Sequence, residues 1–174
     1  MAEKTMILDA QAIGRAVTRI SFEIVERNRG AEDLCLIGIQ SGGTRLADRI
    51  ARRIGEIEGR TVECGTLDIS AFRDDGTVPE DYADRSELNF SIDGKRVVLI
   101  DDVIYTGRTV RAAIDAVMSR GRPRNIQLAI LVDRGHRELP IRADFIGKNL
   151  PTSTEERVEV RADGGPDDCV AIVK

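Results

Sequence analysis

Two adjacent carboxylates, Asp101 and Asp102, follow four apolar residues, 97–100, and precede a turn that is rich in Thr and Gly, 103–109. The apolar run predicts a short buried strand, and the spacing after the turn predicts a helix. In an open α/β sheet, ligands bind at the carboxyl ends of strands. A turn that combines backbone N–H groups, two hydroxyls and a helix N-terminus suits a phosphate. Carboxylates suit hydroxyl groups or a hydrated Mg²⁺ ion. The run therefore predicts a sugar-phosphate site, with the phosphate in the turn and a diol facing the acids.

A purely structural interpretation of the same residues is that the two acids end a strand and that Thr106 caps a helix. Each feature is common alone, and their order along the chain favours the ligand site. A Walker A loop is excluded, because no glycine loop is followed by Gly-Lys-Ser or Gly-Lys-Thr.

The elements that must position this run alternate between strands and helices. Asp9 is the predicted cap of a helix that runs to about Asn28, with Gly30 as its stop. The other predicted elements are strands at 34–39, 61–70, 96–100 and 126–132, a turn at 41–44, helices at 46–57 and 109–118, and edge strands at 157–160 and 169–173. This order predicts βαβ units and a single α/β domain over residues 1–174, with a parallel sheet of about five strands.

Two segments lack this periodicity. Residues 72–94 carry seven acids against two bases, together with Pro79 and two glycines, and are predicted to form a long exposed arm. Loops of that length are uncommon unless they are functional. Residues 134–155 are predicted to be irregular.

Composition excludes several classes of protein. The chain has 174 residues and a formal net charge of −4, and 3% of its residues are aromatic, none of them Trp. These values exclude a nucleic-acid binder that depends on bulk charge, and they argue against a base-stacking platform. Three scattered cysteines make no disulfide framework, which indicates a reducing compartment. No apolar run approaches the roughly 18 residues of a membrane span and no signal segment is evident, so a cytoplasmic protein is expected.

The run Val97-Val98-Leu99-Ile100-Asp101-Asp102-Val103-Ile104-Tyr105-Thr106-Gly107-Arg108-Thr109 resembles the signature of type I phosphoribosyltransferases, which bind 5-phosphoribosyl pyrophosphate (PRPP). A second stretch, Asp133-Arg134-Gly135-His136-Arg137-Glu138-Leu139-Pro140-Ile141-Arg142, is more specific and resembles the PyrR family. The resemblance extends over about residues 7–173. It implies a type I phosphoribosyltransferase fold: a mostly parallel central sheet flanked by helices, a flexible loop at about 71–93 and a small hood at about 133–155.

The resemblance also implies function. Its members regulate pyrimidine biosynthesis genes by transcription attenuation, bind RNA and sense uridine nucleotides. They also convert uracil and PRPP to UMP and pyrophosphate. The implied partners are uracil, PRPP, UMP or UTP, pyrimidine operon leader mRNA, Mg²⁺ with PRPP, and further copies of the chain in a homodimer or larger assembly.

The resemblance implies a role for each matching residue. Asp101 and Asp102 hold the ribose hydroxyls and, through water, Mg²⁺, and with Arg73 of the flexible loop they form the catalytic set. The turn at 41–45 faces pyrophosphate, 105–109 cradle the 5′-phosphate, and Arg134 lies nearest the base. The full implied substrate-binding set is Ser41, Gly42, Gly43, Arg45, Asp101, Asp102, Val103, Ile104, Tyr105, Thr106, Gly107, Arg108, Thr109, Arg134 and Val158.

The implied RNA-binding residues lie on the first helix and in the hood. They are Thr18, Arg19, His136, Arg137, Arg142 and Lys148. Residues 105–124 add five arginines against one aspartate, a patch that is either an RNA-contacting surface or a set of solvated helix faces. For His136, a structural or RNA-facing role is favoured over that of a general base.

Two positions depart from the family pattern. Ser41, Gly42 and Gly43 stand where the family usually has Thr-Arg-Gly, so the leaving-group site lacks one cation and weaker PRPP binding is expected. Arg45 either compensates for that loss or is a solvated residue at a helix start. Phe22 stands where the family commonly has His, and a core or interface role is the favoured interpretation.

The sequence leaves more than one function open. The leading hypothesis is a regulator that is also a uracil phosphoribosyltransferase. The alternatives are an enzyme without an RNA-binding role, a regulator with weak or no catalysis, and a phosphoribosyltransferase for another base.

Overall fold

The computed structural model describes residues 3–174, in which a three-layer α/β arrangement is built around a parallel sheet. In chain order the elements are β1 (Lys4–Leu8), α1 (Ala10–Asn28), β2 (Leu34–Ile39), α2 (Gly42–Glu58), β3 (Glu63–Leu67), a 3₁₀ turn (Ser70–Phe72), β4 (Arg96–Ile104), α3 (Arg108–Met118), β5 (Asn125–Asp133), β6 (Phe145–Asn149), β7 (Arg157–Arg161) and β8 (Cys169–Val173). The five-stranded parallel sheet has the order β3-β2-β4-β5-β6, so β4 lies at its centre.

The hydrophobic core has two parts, one on each face of this sheet. Because successive side chains of a strand point to opposite faces, Val98 and Ile100 of β4 pack under α1 and α2, whereas Val97 and Leu99 pack under α3. All four are fully buried. The continuous apolar run of β4 is what a strand covered on both faces requires.

The predicted α/β fold is confirmed, but several predicted boundaries are wrong. The strand predicted at 61–70 ends at Leu67, because the chain turns into the 3₁₀ helix there. The strand predicted at 96–100 continues to Ile104. Helix α1 ends where predicted, but Arg29 takes the left-handed conformation at its end (φ 53°) and Gly30 follows it. Asp9 caps α1 as predicted, accepting a hydrogen bond from the Ala12 N–H at 2.8 Å.

The predicted irregular segment 134–155 contains β6, which completes the main sheet by pairing in parallel with β5. The two predicted edge strands, now β7 and β8, do not join that sheet. They pair with each other and with β1 in a separate antiparallel sheet of order β1-β8-β7. Within residues 3–174, no helix combines the length and the apolar composition that crossing a membrane requires.

The N-terminus of α2 approaches β2 and β4 so closely that only glycine fits there. A Cβ atom at Gly38 would lie 2.6 Å from the Gly43 carbonyl oxygen, and one at Gly43 would overlap the Ile100 carbonyl oxygen. The paired glycines therefore set how near α2 comes to the central strand.

Gly43→Ala is expected to destabilise the chain by about 1–3 kcal/mol, because the added methyl group forces α2 away from β4. Gly14→Ala is the matched control: it lies inside α1 with nothing within 4 Å of the new Cβ, so it should stabilise by about 0.5–1 kcal/mol. Urea denaturation of the two variants measures both values. Equal stability of Gly43→Ala and wild type would contradict the close approach.

Candidate active site

The two carboxylates lie where β4 loses one of its neighbours. Pairing of β4 with β2 ends at Ile100, opposite Gly38, whereas pairing with β5 continues to Ile104, opposite Asp133. Asp101 and Asp102 are therefore inside the strand rather than at its end, which corrects the predicted boundary. One flank of the strand is unpaired at this point, and the N-terminus of α2 fills it.

The carboxylate pair is held by short local hydrogen bonds. Asp101 Oδ1 accepts from the Asp102 N–H at 2.9 Å, and Asp102 Oδ1 accepts from the Val103 N–H at 2.7 Å. Asp101 is 7% exposed. Asp102 is half-buried, and its carboxyl group occupies the space that a side chain at Gly42 would fill. Burial, and then the charge of Asp102, raise the pKa of Asp101 well above its usual value.

The pair suits hydroxyl groups, and it suits Mg²⁺ only together with a substrate. Among residues 3–174, no cluster of three or more His, Cys, Asp or Glu side chains could enclose a metal ion. Mg²⁺ usually keeps several waters and is bound by one or two carboxylates plus substrate phosphates. Asp101 and Asp102 fit the latter case, in which two carboxylates bind Mg²⁺ together with substrate phosphates and water.

The segment 103–109, here called the Thr–Gly turn, leads from β4 into α3. Gly107 precedes the helix with φ 94°, a conformation that favours glycine. The Thr106 hydroxyl accepts from the Arg108 N–H at 3.3 Å. The first N–H groups of a helix have no intrahelical partner, so those of α3 point out of its N-terminus. Together with Arg73 and Asp75, residues 103–110 line a cavity of about 310 Å³.

The hood (residues 133–155) is fastened to this turn by Arg137. Its Nη1 donates to the Tyr105 carbonyl oxygen at 2.9 Å and its Nε to the Ile141 carbonyl oxygen at 2.8 Å. Its Nη2 forms an ion pair with Asp133 at 2.5 Å. The Thr106 carbonyl oxygen accepts from two further hood N–H groups, those of 138 and 139. Because its three nitrogens all have partners within the chain, Arg137 joins the hood to the turn.

Arg134 of the hood is buried against Tyr105 of the Thr–Gly turn. Its guanidinium group stacks over the Tyr105 ring at 4.1 Å. Nε donates to the Thr152 hydroxyl, and Nη2 donates to the carbonyl oxygens of Ser153 and Glu156. Arg134 lines a hood cavity of about 570 Å³. Its hydrogen bonds also hold the segment 152–156 in place.

The arm is mostly exposed, as predicted, and Asp68 fastens its start and a later segment at residues 85–86. Asp68 Oδ1 accepts from the Ser70 N–H and hydroxyl, Oδ2 accepts from the Arg85 N–H, and the Asp68 N–H donates to the Ser86 hydroxyl. Burial acts to raise the pKa of Asp68, but these bonds and one from Tyr82 outweigh it and lower the pKa to about 2. Further along, Leu88 and Phe90 pack against the core.

The anchored arm brings Arg73 to the Thr–Gly turn. Arg73 Nη1 lies 3.4 Å from the Thr109 hydroxyl, and Nε and Nη2 each lie 2.8 Å from an oxygen of Asp75. Sequence reasoning placed Arg73 at the site but missed Asp68. The Asp68-x-Ser70 spacing, typical of an Asx turn, was the available signal.

Other expected substrate-binding residues lie at the edge of this site or outside it. Ser41 is exposed and precedes α2 without a side-chain cap. Arg45 is exposed on the first turn of α2, because that helix begins at Gly42 rather than after a longer turn. Val158 lies in β7 of the small sheet and packs against the core.

The RNA-binding residues expected on α1 and in β6 lie on neighbouring elements. Arg19 Nη2 donates to the carbonyl oxygens of Ile146 and Gly147 at 3.1 and 2.6 Å, which covers the open edge of β6. Thr18 precedes it on α1, and Lys148 is exposed on β6. Within β6, Lys148 lies on the same side as Ile146, which packs with the part of the core under α3, so it does not share a face with α1.

Two more residues expected to bind RNA lie in the hood. Arg142 is exposed and lines the hood cavity. His136 is exposed, with Nε2 2.5 Å from the Thr152 carbonyl oxygen and its ring edge-on to Tyr105. Phe22 is 50% exposed and packs under Arg53, so the core role proposed for it is wrong, whereas the alternative interface role stays a prediction.

The sheet order and a match to a known domain family establish the phosphoribosyltransferase class. The family described as the phosphoribosyl transferase domain matches residues 3–160. Among solved structures, a hypoxanthine phosphoribosyltransferase from Staphylococcus aureus has a TM-score of 0.68 at 20% identity, with 84% of this chain and 77% of that one covered. One from Trypanosoma cruzi, in complex with the product IMP, has a TM-score of 0.68 at 19% identity, with coverages of 87% and 78%. At this identity the solved structures establish the fold alone.

Curated relatives are much closer in sequence. The "Bifunctional protein PyrR" of Bacillus cereus (strain AH820) is 58% identical over 164 residues, which cover 92% of this chain and 91% of that protein. The protein of the same name from Bacillus mycoides (strain KBAB4) is 57% identical with the same coverage. The chain belongs to the PyrR family of phosphoribosyltransferases.

The raised pKa of Asp101 predicts a pH-dependent gain in stability for Asp101→Asn. A carboxyl group with a higher pKa in the folded chain binds more protons when folded. Stability therefore falls as the pH rises from the unfolded pKa, about 4, to the folded one. The variant lacks this loss, so its free energy of unfolding should exceed that of wild type at pH 7 and approach it near pH 4.

Urea denaturation of the ligand-free proteins between pH 4 and 8 measures this difference. Asp81→Asn is the control, because it removes an exposed carboxylate of the arm. An Asp101→Asn protein that is no more stable than wild type at pH 7 would show that burial of this charge is not unfavourable.

Proposed function

We propose that this chain is a uridine-nucleotide-sensing, RNA-binding regulator of pyrimidine biosynthesis genes that also catalyses uracil + PRPP → UMP + pyrophosphate. Membership of the PyrR family supports both activities. The single observation that carries the proposal is the carboxylate pair beside the Thr–Gly turn, beneath a hood that is fastened to that turn. The chain is then one domain in which the arm (71–93) and the hood enclose the substrate.

In this proposal the Thr–Gly turn receives the 5′-phosphate. The N–H groups at the start of α3 and the hydroxyls of Thr106 and Thr109 donate to phosphate oxygens. Asp101 and Asp102 accept from the ribose 2′- and 3′-hydroxyls. Those donors offset the charge that is buried at Asp101, so the pair orients the anomeric carbon.

The reaction is a displacement at that carbon. The bond from the anomeric carbon to pyrophosphate breaks while the bond to uracil N1 forms, and the N1 proton is released. Negative charge grows on the departing pyrophosphate beside the turn at 41–45, and Arg73 of the arm approaches from the other side. Cations that face this charge stabilise the transition state. Mg²⁺ bound with PRPP, held by waters on Asp101 and Asp102, would neutralise part of the same charge.

The base lies beneath the hood in this proposal. Arg134 lines the hood cavity and is fixed by its stacking on Tyr105, so the base site and the phosphate turn are coupled through one aromatic ring. Val158 is proposed to complete the nucleotide site. A cytoplasmic location and a homodimer or larger assembly complete the proposal.

Arg45→Ala tests whether this arginine replaces the one missing from the pyrophosphate turn. Losing a charge-assisted contact with pyrophosphate is expected to raise the KM for PRPP roughly tenfold. The control is Arg52→Ala, which removes an exposed cation further along α2. Steady-state assays with uracil measure both variants. An unchanged KM for Arg45→Ala would show that Arg45 is a solvated residue at the start of the helix and does not contact pyrophosphate.

Binding of pyrimidine leader RNA is expected to strengthen when UMP or UTP is added and to weaken with salt. Lys148→Ala should weaken it several-fold without changing UMP synthesis, because Lys148 is exposed on β6 and lines neither the cavity of the Thr–Gly turn nor the hood cavity. Arg161→Ala, an exposed cation of the small sheet, is the control. Gel shifts measure the affinity. An RNA affinity that does not depend on UMP at low salt would contradict the proposed regulatory role, and the proposed enzymatic activity alone would remain.

A further inference from the structure

A carboxylate of the arm pairs with two arginine side chains in the first turn of α3. Asp74 Oδ2 lies 2.7 Å from Arg108 Nη1 and 3.7 Å from Arg111 Nη1. Arg108 is the first residue of α3, and Arg111 lies one turn further along. Asp74 therefore places negative charge on Arg108, a residue that lines the cavity in which the proposed function puts the substrate phosphate.

The neighbours of Asp74 keep it there. Arg73 is bound to Asp75 through two hydrogen bonds and reaches the Thr109 hydroxyl, and both Arg73 and Asp75 line the 310 Å³ cavity of the Thr–Gly turn. Asp75 pairs with Arg73, two residues earlier in the arm, whereas Asp74 pairs with Arg108. The two adjacent acids thus have different partners.

The contact between Asp74 and Arg108 is of a kind that phosphate can displace. Both side chains are partly exposed, 37% for Asp74 and 43% for Arg108, and ion pairs at such sites are weak. A phosphate dianion offers more charge and more acceptor atoms to the same guanidinium group. Glu138 of the hood also pairs with Arg108, at 3.3 Å, through Nε. The Asp74 contact uses Nη1, which faces the arm.

We propose that Asp74 sets the affinity of the Thr–Gly turn by acting as an internal anion that the substrate phosphate must displace from Arg108. This inference rests on the proposed function, since it assumes that the turn binds a phosphate. The apparent affinity for phosphate is then lowered by the fraction of molecules in which Asp74 remains on Arg108. Displacement of Asp74 also frees the segment next to Arg73, so the same event lets the arm rearrange over the bound substrate.

The test is titration calorimetry of the intact chain with ribose 5-phosphate, which carries the phosphate and the pentose but neither pyrophosphate nor base. Asp74→Asn is expected to bind it about two- to fivefold more tightly than wild type, the range that the loss of one exposed ion pair permits. Asp74→Glu restores the carboxylate and should return the affinity towards the wild-type value.

Asp81→Asn is the matched control: it removes one negative charge from the same arm, and within residues 3–174 Asp81 forms no ion pair. An affinity unchanged or weakened by Asp74→Asn overturns the inference. So does an equal gain in both variants, which would reflect net charge alone. If wild type and all variants fail to bind ribose 5-phosphate at millimolar concentration, it is the proposed function that fails.

Limited trypsin digestion of the ligand-free proteins gives a second measurement. Without the Asp74 contact, cleavage after Arg85 should be faster in Asp74→Asn than in Asp81→Asn, while the melting temperatures of the two variants stay equal. Equal cleavage rates would show that Asp74 does not hold the arm on the turn.

Discussion

The strand at the centre of the sheet continues past its pairing with one neighbour, and the site depends on that asymmetry. Beyond Ile100, β4 remains paired with β5 on one side, while glycines at the start of α2 fill the other side. Asp101 and Asp102 therefore lie in a rigid strand, but on one side of them no neighbouring strand is paired with β4. Side chains larger than hydrogen at Gly42 or Gly43 would close this space, so the approach of α2 and the position of the carboxylates are one structural feature.

Electrostatics explains why such an arrangement favours a ligand. A carboxylate buried beside a second one is unfavourable in the free chain, as the direction of the Asp101 pKa shows. Hydroxyl donors relieve that cost, whereas a phosphate placed on the carboxylates would increase it. In the proposed function, the positive end of α3 and Arg108 provide the phosphate with its own place in the turn. Two kinds of polar group on one ligand are thereby held in a fixed order.

Much of the site was predictable because it is local in sequence. The apolar run, the acids, the Thr–Gly turn and the helix after it follow one another within thirteen residues, 97–109, and the prediction of a phosphate beside a diol used only that order. The close approach at Gly43, the position of Asp68 and the contact of Asp74 with Arg108 were not predictable, because each joins residues from different elements. Strand β6 was missed for a related reason: Phe145–Asn149 is short and contains Gly147, and it becomes a strand only by pairing with β5. The small sheet joins Lys4 to Val173, near the two ends of the chain.

A crystal structure of the chain with UMP tests the central claim most directly. The account predicts that the phosphate oxygens accept hydrogen bonds from the N–H groups and hydroxyls of residues 106–109, and that the ribose hydroxyls donate to Asp101 and Asp102. A nucleotide bound elsewhere on the chain, with the Thr–Gly turn and the carboxylate pair left without ligand, would contradict it.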